Sequence, residues 1–468
     1  MKIGFLHQNT EKRRDLILNG RVSASLFLLS VPTLMMGLVQ SMMPLMDGLF
    51  MNNFAGTVAA SSVTYCFPII NMMSALAQGI SVAGTAMIGQ SNGRGEFKEA
   101  RHLSTQIIAF ALVSGCIVAP LLALIAFPVS WNVDSRISQD VFTYLALNAL
   151  VLPFLFLENT YNAIKNASGK PEAPFIRMVI MLILKIMFNA LFIAVLKLGI
   201  TGSVMSSLIS NILISIWMYY ELFVKPGDDR LELKGFRFDF RAIREIVRMG
   251  IPSMLNSIML SLGFYLINNE IQKYGPIVLN GQGIASNITS IAFILPSSFG
   301  ASVTTIVSMN IGAGKGLKAR KGCIVGCLIS AVTAAALIAI IVPLSSYITV
   351  LFTRDPAVLE VANHALHIYT YSVIGFGVCM VSQGAFIGLG RMRIPLVMGI
   401  LRIWLLRYIF ILATESFLGY SSVFWGNLFS NYAAALITAI LVFNIKWVSV
   451  IPKYAGAKSI SDESVLSE

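Results

Sequence analysis

The chain is poor in charge: 12 % of its 468 residues are Asp, Glu, Lys or Arg, against 56 % that are apolar. A water-exposed globular surface needs more charge than that, so a soluble domain is excluded and lipid is the expected solvent. Acidic residues are scarcer than basic ones, 22 against 34, which leaves a net charge of +12. The surplus does not mark a nucleic-acid surface, because the cations sit in short loops between apolar runs without interleaved aromatics. Cysteine is sparse too. Cys66, Cys116, Cys323, Cys327 and Cys379 all lie in apolar runs and form no CxxC pair, so neither disulfides nor zinc are implied. No strand precedes Gly95, Gly312, Gly314 or Gly316 and no Lys-Ser or Lys-Thr closes them, which removes a phosphate loop and ATP as the energy source. His364 and His367 are three apart with only Glu360 near them, and read as interfacial side chains; no metal site is expected. The first 22 residues lack a signal-peptide cleavage pattern, and the amino terminus is expected to be retained.

What the chain has in abundance is apolar length. Stretches between polar breaks fall near 24–51, 58–88, 102–127, 138–164, 172–196 and 200–223, then near 249–274, 278–309, 322–349, 358–388, 394–416 and 420–445. The expected fold is all-α and integral to the membrane, with twelve transmembrane helices in two pseudo-symmetric six-helix lobes. The expected division is a segment 1–23, a first lobe 24–223, a polar linker 224–248 carrying Arg230, Lys234, Arg237, Arg241 and Arg244, a second lobe 249–446 and a tail 447–468. If the amino terminus is cytoplasmic, the linker and the loops with Arg94, Lys98 and Arg101, with Lys165 and Lys170, with Lys315, Lys318 and Arg320, and with Arg391 and Arg393 all lie inside. Only Arg136, Lys197, Lys273 and Arg354 remain outside. The positive-inside rule then places both termini in the cytoplasm of a cell or inner membrane.

The halves repeat at an offset of about 220 residues. Gly93-Arg-Gly-Glu-Phe-Lys-Glu-Ala-Arg101 aligns with Gly312-Ala-Gly-Lys-Gly-Leu-Lys-Ala-Arg320, each directly after a second span. Leu208-Ile-Ser-Asn211 aligns with Leu428-Phe-Ser-Asn431, Gly199 with Gly419, and Gly169 and Pro174 with Gly390 and Pro395. Six spans return the chain to the same side, so the repeats are parallel, related by an axis along the membrane normal, and a substrate path is expected between them.

Over nearly its whole length the sequence resembles the multidrug and toxic compound extrusion (MATE) transporters. The resemblance is carried by Pro32 fifteen residues before Asp47, by Asp47-Gly-Leu-Phe-Met-Asn-Asn-Phe-Ala-Gly56, by the run from Gly79 to Arg101 and by Gly199-Ile-Thr-Gly202. It implies lobes enclosing a cleft, rocker-switch alternating access, and export of small organic, often cationic, compounds driven by inward H⁺ or Na⁺. No cofactor beyond the coupling H⁺ or Na⁺ is expected; the expected partners are small organic substrates and membrane lipids, and the expected working unit is a monomer.

A carboxylate inside a span is costly unless it meets a cation or a proton, which makes Asp47 the leading candidate for coupling. The resemblance also implies cation ligands from the fifth span, an Asn followed four residues later by an Asp, and a Thr from the sixth. Those positions here are Lys185, Asn189 and Ser207. An ammonium in place of a neutral ligand repels Na⁺ and can neutralise Asp47, so a buried Asp47–Lys185 pair favouring H⁺ is expected. Pro32 is expected to bend the first span. Glu158 reads either as a second charge site or as a partner for Lys165 or Lys185. Asn268, with Asn269 and Glu270, is the second half's counterpart of the Asp47 region and lacks its carboxylate. Arg402 and Arg407 in the eleventh span must face protein or water, against an anionic substrate group or against helix carbonyls. Met35, Met36, Met42, Met43 and Met46 in the first span suit a pocket of variable shape and equally ordinary core filling. A competing reading is a flippase for a lipid-linked or peptide-like molecule, whose cavity would be basic. An enzyme is not expected, because no acid–base or metal-ligand cluster occurs at helical spacing.

Overall fold

The computed structural model describes residues 10–55, 57–131, 135–226, 230–232, 236–350, 355–448 and 451. Among them there is no strand. A ten-residue helix, Thr10–Asn19, precedes the spans Val22–Phe50, Thr57–Arg94, Phe97–Trp131, then Glu172–Val195 and Gly199–Val224 in the first half. The second half contains Phe240–Gln272, Pro276–Gly312, Gly316–Val350, Pro356–Gly388, Arg393–Leu418 and Ser421–Asn444. Eleven of the described helices are long and apolar enough to cross a membrane. The fourth crossing of the first half is a pair, Ser138–Asn148 and Leu152–Ala167, bent by 50°.

That bend differs from the single helix expected over 138–164, and its cause is local. Pro153 sits in the first turn of the second piece, where it has no N–H to give the preceding turn, so the chain restarts its helix at Leu152. The seventh span also starts earlier than 249. Asp239 accepts hydrogen bonds from the backbone N–H of Arg241 (2.9 Å) and Ala242 (3.2 Å), a cap that turns the last part of the expected linker into helix. The first span runs as unbroken helix through Pro32.

The internal repeat is visible in the backbone. Left-handed glycines close equivalent loops in the two halves: Gly95 with Gly314 (φ 82° and 73°), Gly169 with Gly390 (72° and 82°), and Gly199 with Gly419 (54° and 55°). Only a residue without Cβ adopts that conformation at little cost, so the repeated glycines mark repeated turns.

The lobes meet in the half next to the basic loops. The second and eighth spans approach there backbone to backbone: a methyl group on Gly93 would fall 2.0 Å from the Met309 carbonyl oxygen, and one on Gly312 would fall 2.0 Å from that of Gln90. The two contacts exchange under the pseudo-two-fold axis. Gln90 Nε2 donates to the Gly388 carbonyl (2.9 Å) and Thr305 Oγ1 to that of Asn166 (3.1 Å), so polar groups are satisfied across the seam.

The short helix Thr10–Asn19 fastens this end. Arg13, 1 % exposed, pairs with Glu172 of the first lobe, and Arg14 donates to the Gly93 carbonyl at 3.0 and 3.2 Å. At its C-terminus the second lobe supplies the donors: Lys318 Nζ meets the carbonyls of Leu18 (2.8 Å) and Gly20 (2.9 Å), and Lys315 Nζ meets Leu18 (3.2 Å) and Asn19 Oδ1 (2.7 Å). Ammonium groups on the last carbonyls of a helix satisfy acceptors that have no intrahelical partner.

Candidate functional site

In the first lobe, the end of the first span and the middle of the fifth bring three side chains together. Lys185 and Asn189 are four apart on one helical face, and both point at Asp47. Lys185 Nζ pairs with Asp47 Oδ2, and Asn189 Nδ2 donates to Asp47 Oδ1 at 2.9 Å. Asn189 is fully buried, while the Asp47 and Lys185 side chains keep 20 % and 13 % exposure. The pair is therefore partly open at its surface, but its surroundings are mostly protein. Each carboxylate oxygen accepts from one N–H donor, so this arrangement holds a charge pair.

The chain leaves α-geometry just past each partner. A π-helical turn, Met51–Ala55, follows Asp47, and another, Ala190–Val195, follows Asn189. Such turns interrupt the regular ladder and concentrate at functional positions. Met51, Ala59, Ile193 and Ile200 pack into a small apolar cluster beside them, with Tyr144 of the fourth span against it. Tyr144 was not singled out from the sequence, where nothing marks it.

Ser207 is not part of this set. Its carbonyl accepts from Asn211 Nδ2 (2.8 Å), and it is Ser206, fully buried, whose hydroxyl reaches the Lys185 carbonyl (3.3 Å). One residue along a helix turns the side chain through about 100°, which is enough to swap the two serines. Glu158 pairs with neither Lys165 nor Lys185. Its partner is Arg177, fully buried, at 2.5 Å, and Lys165 instead meets Glu221 at 2.7 Å. An ion pair across two helices has no spacing signature, so the sequence could not single out Arg177. Asn268 lies outside the residues whose side chains are described. Glu270 pairs with Lys273 and accepts from the Tyr408 hydroxyl (3.2 Å). His367 meets the Ser345 hydroxyl (2.9 Å), and no cluster of metal-ligand side chains occurs among the described residues.

In the second lobe Arg402 and Arg407, each 6 % exposed, line a cavity of about 530 Å³. Among the described residues neither donates to a helix carbonyl. Arg402 Nη1 donates to Asn431 Oδ1 (3.1 Å) and its guanidinium lies 5.2 Å from the Phe376 ring centre; that of Arg407 lies 5.8 Å from Phe264.

The MatE family model matches residues 32–191 and again 252–412. The chain belongs to the MatE family. The two matches open at Pro32 and Pro252, so the family pattern itself occurs twice, as the internal repeat requires. Among MatE relatives, the chain is 22 % identical over 391 residues to the "Probable multidrug resistance protein YoeA" of Bacillus subtilis, covering 82 % of this chain and 84 % of that protein. It is 21 % identical over 396 residues to the multidrug export protein MepA of Staphylococcus aureus, covering 82 % and 86 %. A solved MATE crystal structure in the straight conformation superposes with a TM-score of 0.87 at 20 % identity, covering 92 % of this chain and 97 % of that one. The MatE fold is therefore present in full across both lobes.

Proposed function

We propose that this MatE protein is a secondary-active exporter of small organic compounds, driven by protons through Asp47. The observation that carries the reading is the triad in the first lobe: one carboxylate held by an ammonium and an amide at the end of a span. A proton landing on Asp47 removes the charge that holds Lys185. The freed ammonium then has to find water or another acceptor, which favours a different packing of the first and fifth spans. Protonation and lobe arrangement are thereby linked, and a substrate that prefers the other arrangement exchanges with the proton.

The basic loops supply the orientation. With them in the cytoplasm, both termini lie inside, and the seam of Gly93 and Gly312 is a closed inner gate. The substrate path then opens toward the far side, where the proton enters. A cavity of about 530 Å³ suits a drug-sized solute; its lining is basic, as the flippase reading also expects, so it is the size that supports an exporter of small compounds over a lipid-linked flippase.

The test is transport in proteoliposomes under a pH gradient alone and a Na⁺ gradient alone, for the wild type and for Asp47→Asn. The expected result is transport with the pH gradient only, reduced about 100-fold or more by the substitution. Transport driven by Na⁺ alone, or unchanged in Asp47→Asn, would place coupling elsewhere.

A further inference from the structure

The cavity of the second lobe holds two fixed positive charges and no negative one. Arg402 and Arg407 line it together with neutral amides and hydroxyls, and none of its lining residues carries a carboxylate. Among the described residues neither arginine forms an ion pair, and the Nε of each is buried without a hydrogen-bond partner. A guanidinium does not shed its proton, so burial cannot neutralise it.

The local backbone explains how both reach the same space. Five residues along an α-helix is about 140° around its axis, which would send one arginine away from the other. Leu401–Tyr408 is instead a π-helical segment, whose hydrogen bonds join residues five apart and stack them on one face. The eleventh span has given up α-geometry over the stretch that aims two cations into one pocket.

What solvates them is incomplete by design. Arg402 rests on Phe376 and Asn431, and Asn431 Nδ2 is itself bound to Asn427 Oδ1 (2.7 Å), which fixes the Asn431 oxygen toward the guanidinium. Phe293 stacks on Phe376 with ring centres 4.0 Å apart, giving the pocket a flat aromatic wall. Ring faces and a neutral amide hold a cation weakly compared with a carboxylate or phosphate oxygen.

We propose that this pocket binds the anionic group of an organic substrate, a carboxylate, sulfonate or phosphate on an aromatic or apolar body, between Arg402 and Arg407. It names the substrate class for the exporter proposed above and rests on that reading only for what binding accomplishes. The preference for cations implied by the family resemblance does not extend to this lobe.

The experiment measures equilibrium binding, with no gradient, to the full chain in lipid nanodiscs by fluorescence anisotropy. The probes are carboxyfluorescein and the cationic tetramethylrhodamine methyl ester, two dyes on one xanthene scaffold. Carboxyfluorescein is expected to bind at least about tenfold tighter, and Arg402→Gln and Arg407→Gln each to weaken it by about tenfold or more. Asn431→Asp keeps the shape and places a counter-ion on Arg402. It is expected to raise the melting temperature and to weaken carboxyfluorescein by a similar factor, so it decides the question even if an arginine variant fails to fold. Equal binding of the two dyes, or carboxyfluorescein affinity unchanged in Asn431→Asp, would overturn the proposal. A failure of proton coupling would leave these affinities as they are.

Discussion

The two lobes share one fold and handle charge in opposite ways. In the first, the interior charges are matched: Asp47 with Lys185, Glu158 with Arg177, and Lys165 with Glu221. In the second, Arg402 and Arg407 are buried with no counter-ion among the described residues. What the repeat preserves is the scaffold: the left-handed glycines and the exchanged contacts of Gly93 and Gly312 recur in both halves. What it has let diverge is electrostatics: among the described residues, one lobe carries interior ion pairs and the other two buried arginines without one.

The comparison breaks most visibly at Lys185. Lys185→Asn returns an amide oxygen to the position where the family's cation ligands are expected and removes the repelling ammonium. Transport in that variant is expected to acquire dependence on Na⁺, rising about tenfold or more from Na⁺-free to Na⁺-containing medium. A variant indifferent to Na⁺ would show that the ammonium is not what excludes it.

Thermal stability sharpens the contrast through its sign. Removing one partner of a buried pair strands the other, whereas removing an unpaired buried charge removes a cost. Lys185→Met is therefore expected to lower the melting temperature and Arg407→Met to raise it, each by roughly 3 °C or more. Shifts of the same sign would erase the distinction between the lobes.

The shared scaffold makes a prediction of equality. Gly93→Ala and Gly312→Ala each press a methyl group onto a carbonyl oxygen of the opposite lobe, at 2.0 Å in both cases. Both should slow transport by about tenfold, to the same extent, and should make a cysteine introduced by Gln90→Cys reactive toward a soluble thiol reagent. Unequal effects would mean that the gate is not symmetric.

The smallest effect concerns the helix Thr10–Asn19, which the two lobes share unevenly. The second lobe holds it through hydrogen bonds from Lys315 and Lys318 and through Ile17 and Leu18, buried in that lobe's apolar core, so Lys315→Ala with Lys318→Ala should raise hydrogen exchange at the C-terminal end of this helix by about tenfold with little change in melting temperature.

Much of this was legible beforehand for physical reasons. Lipid demands about 20 apolar residues per crossing, and a duplicated fold repeats its turn glycines, so spans and lobes follow from hydropathy and spacing. Lys185 and Asn189 were legible as one face because four residues are about one α-helical turn. Arg402 and Arg407 were legible as costly charges facing either an anionic substrate group or helix carbonyls, but not as neighbours, since no α-helical spacing makes positions five apart neighbours and nothing in Leu401–Tyr408 announces a π-turn. The Glu158–Arg177 pair and the exchange of Ser207 for Ser206 depend on how helices rotate against each other, which side-chain packing decides. The fourth span's bend was signalled by Pro153, whose effect at a helix start differs from its effect in mid-helix.

The most direct test of the account counts protons. Carboxyfluorescein is added to the detergent-solubilised protein in weak buffer, and the pH change is converted into protons exchanged per ligand bound. If proton and substrate favour opposite arrangements as proposed, the wild type should release protons on binding, up to about one per ligand under conditions where the free protein carries the proton on Asp47. Asp47→Asn should bind the dye and release none. Binding without proton release at any pH, or release that persists undiminished in Asp47→Asn, would contradict the assignment of Asp47 and Lys185 as the coupling pair.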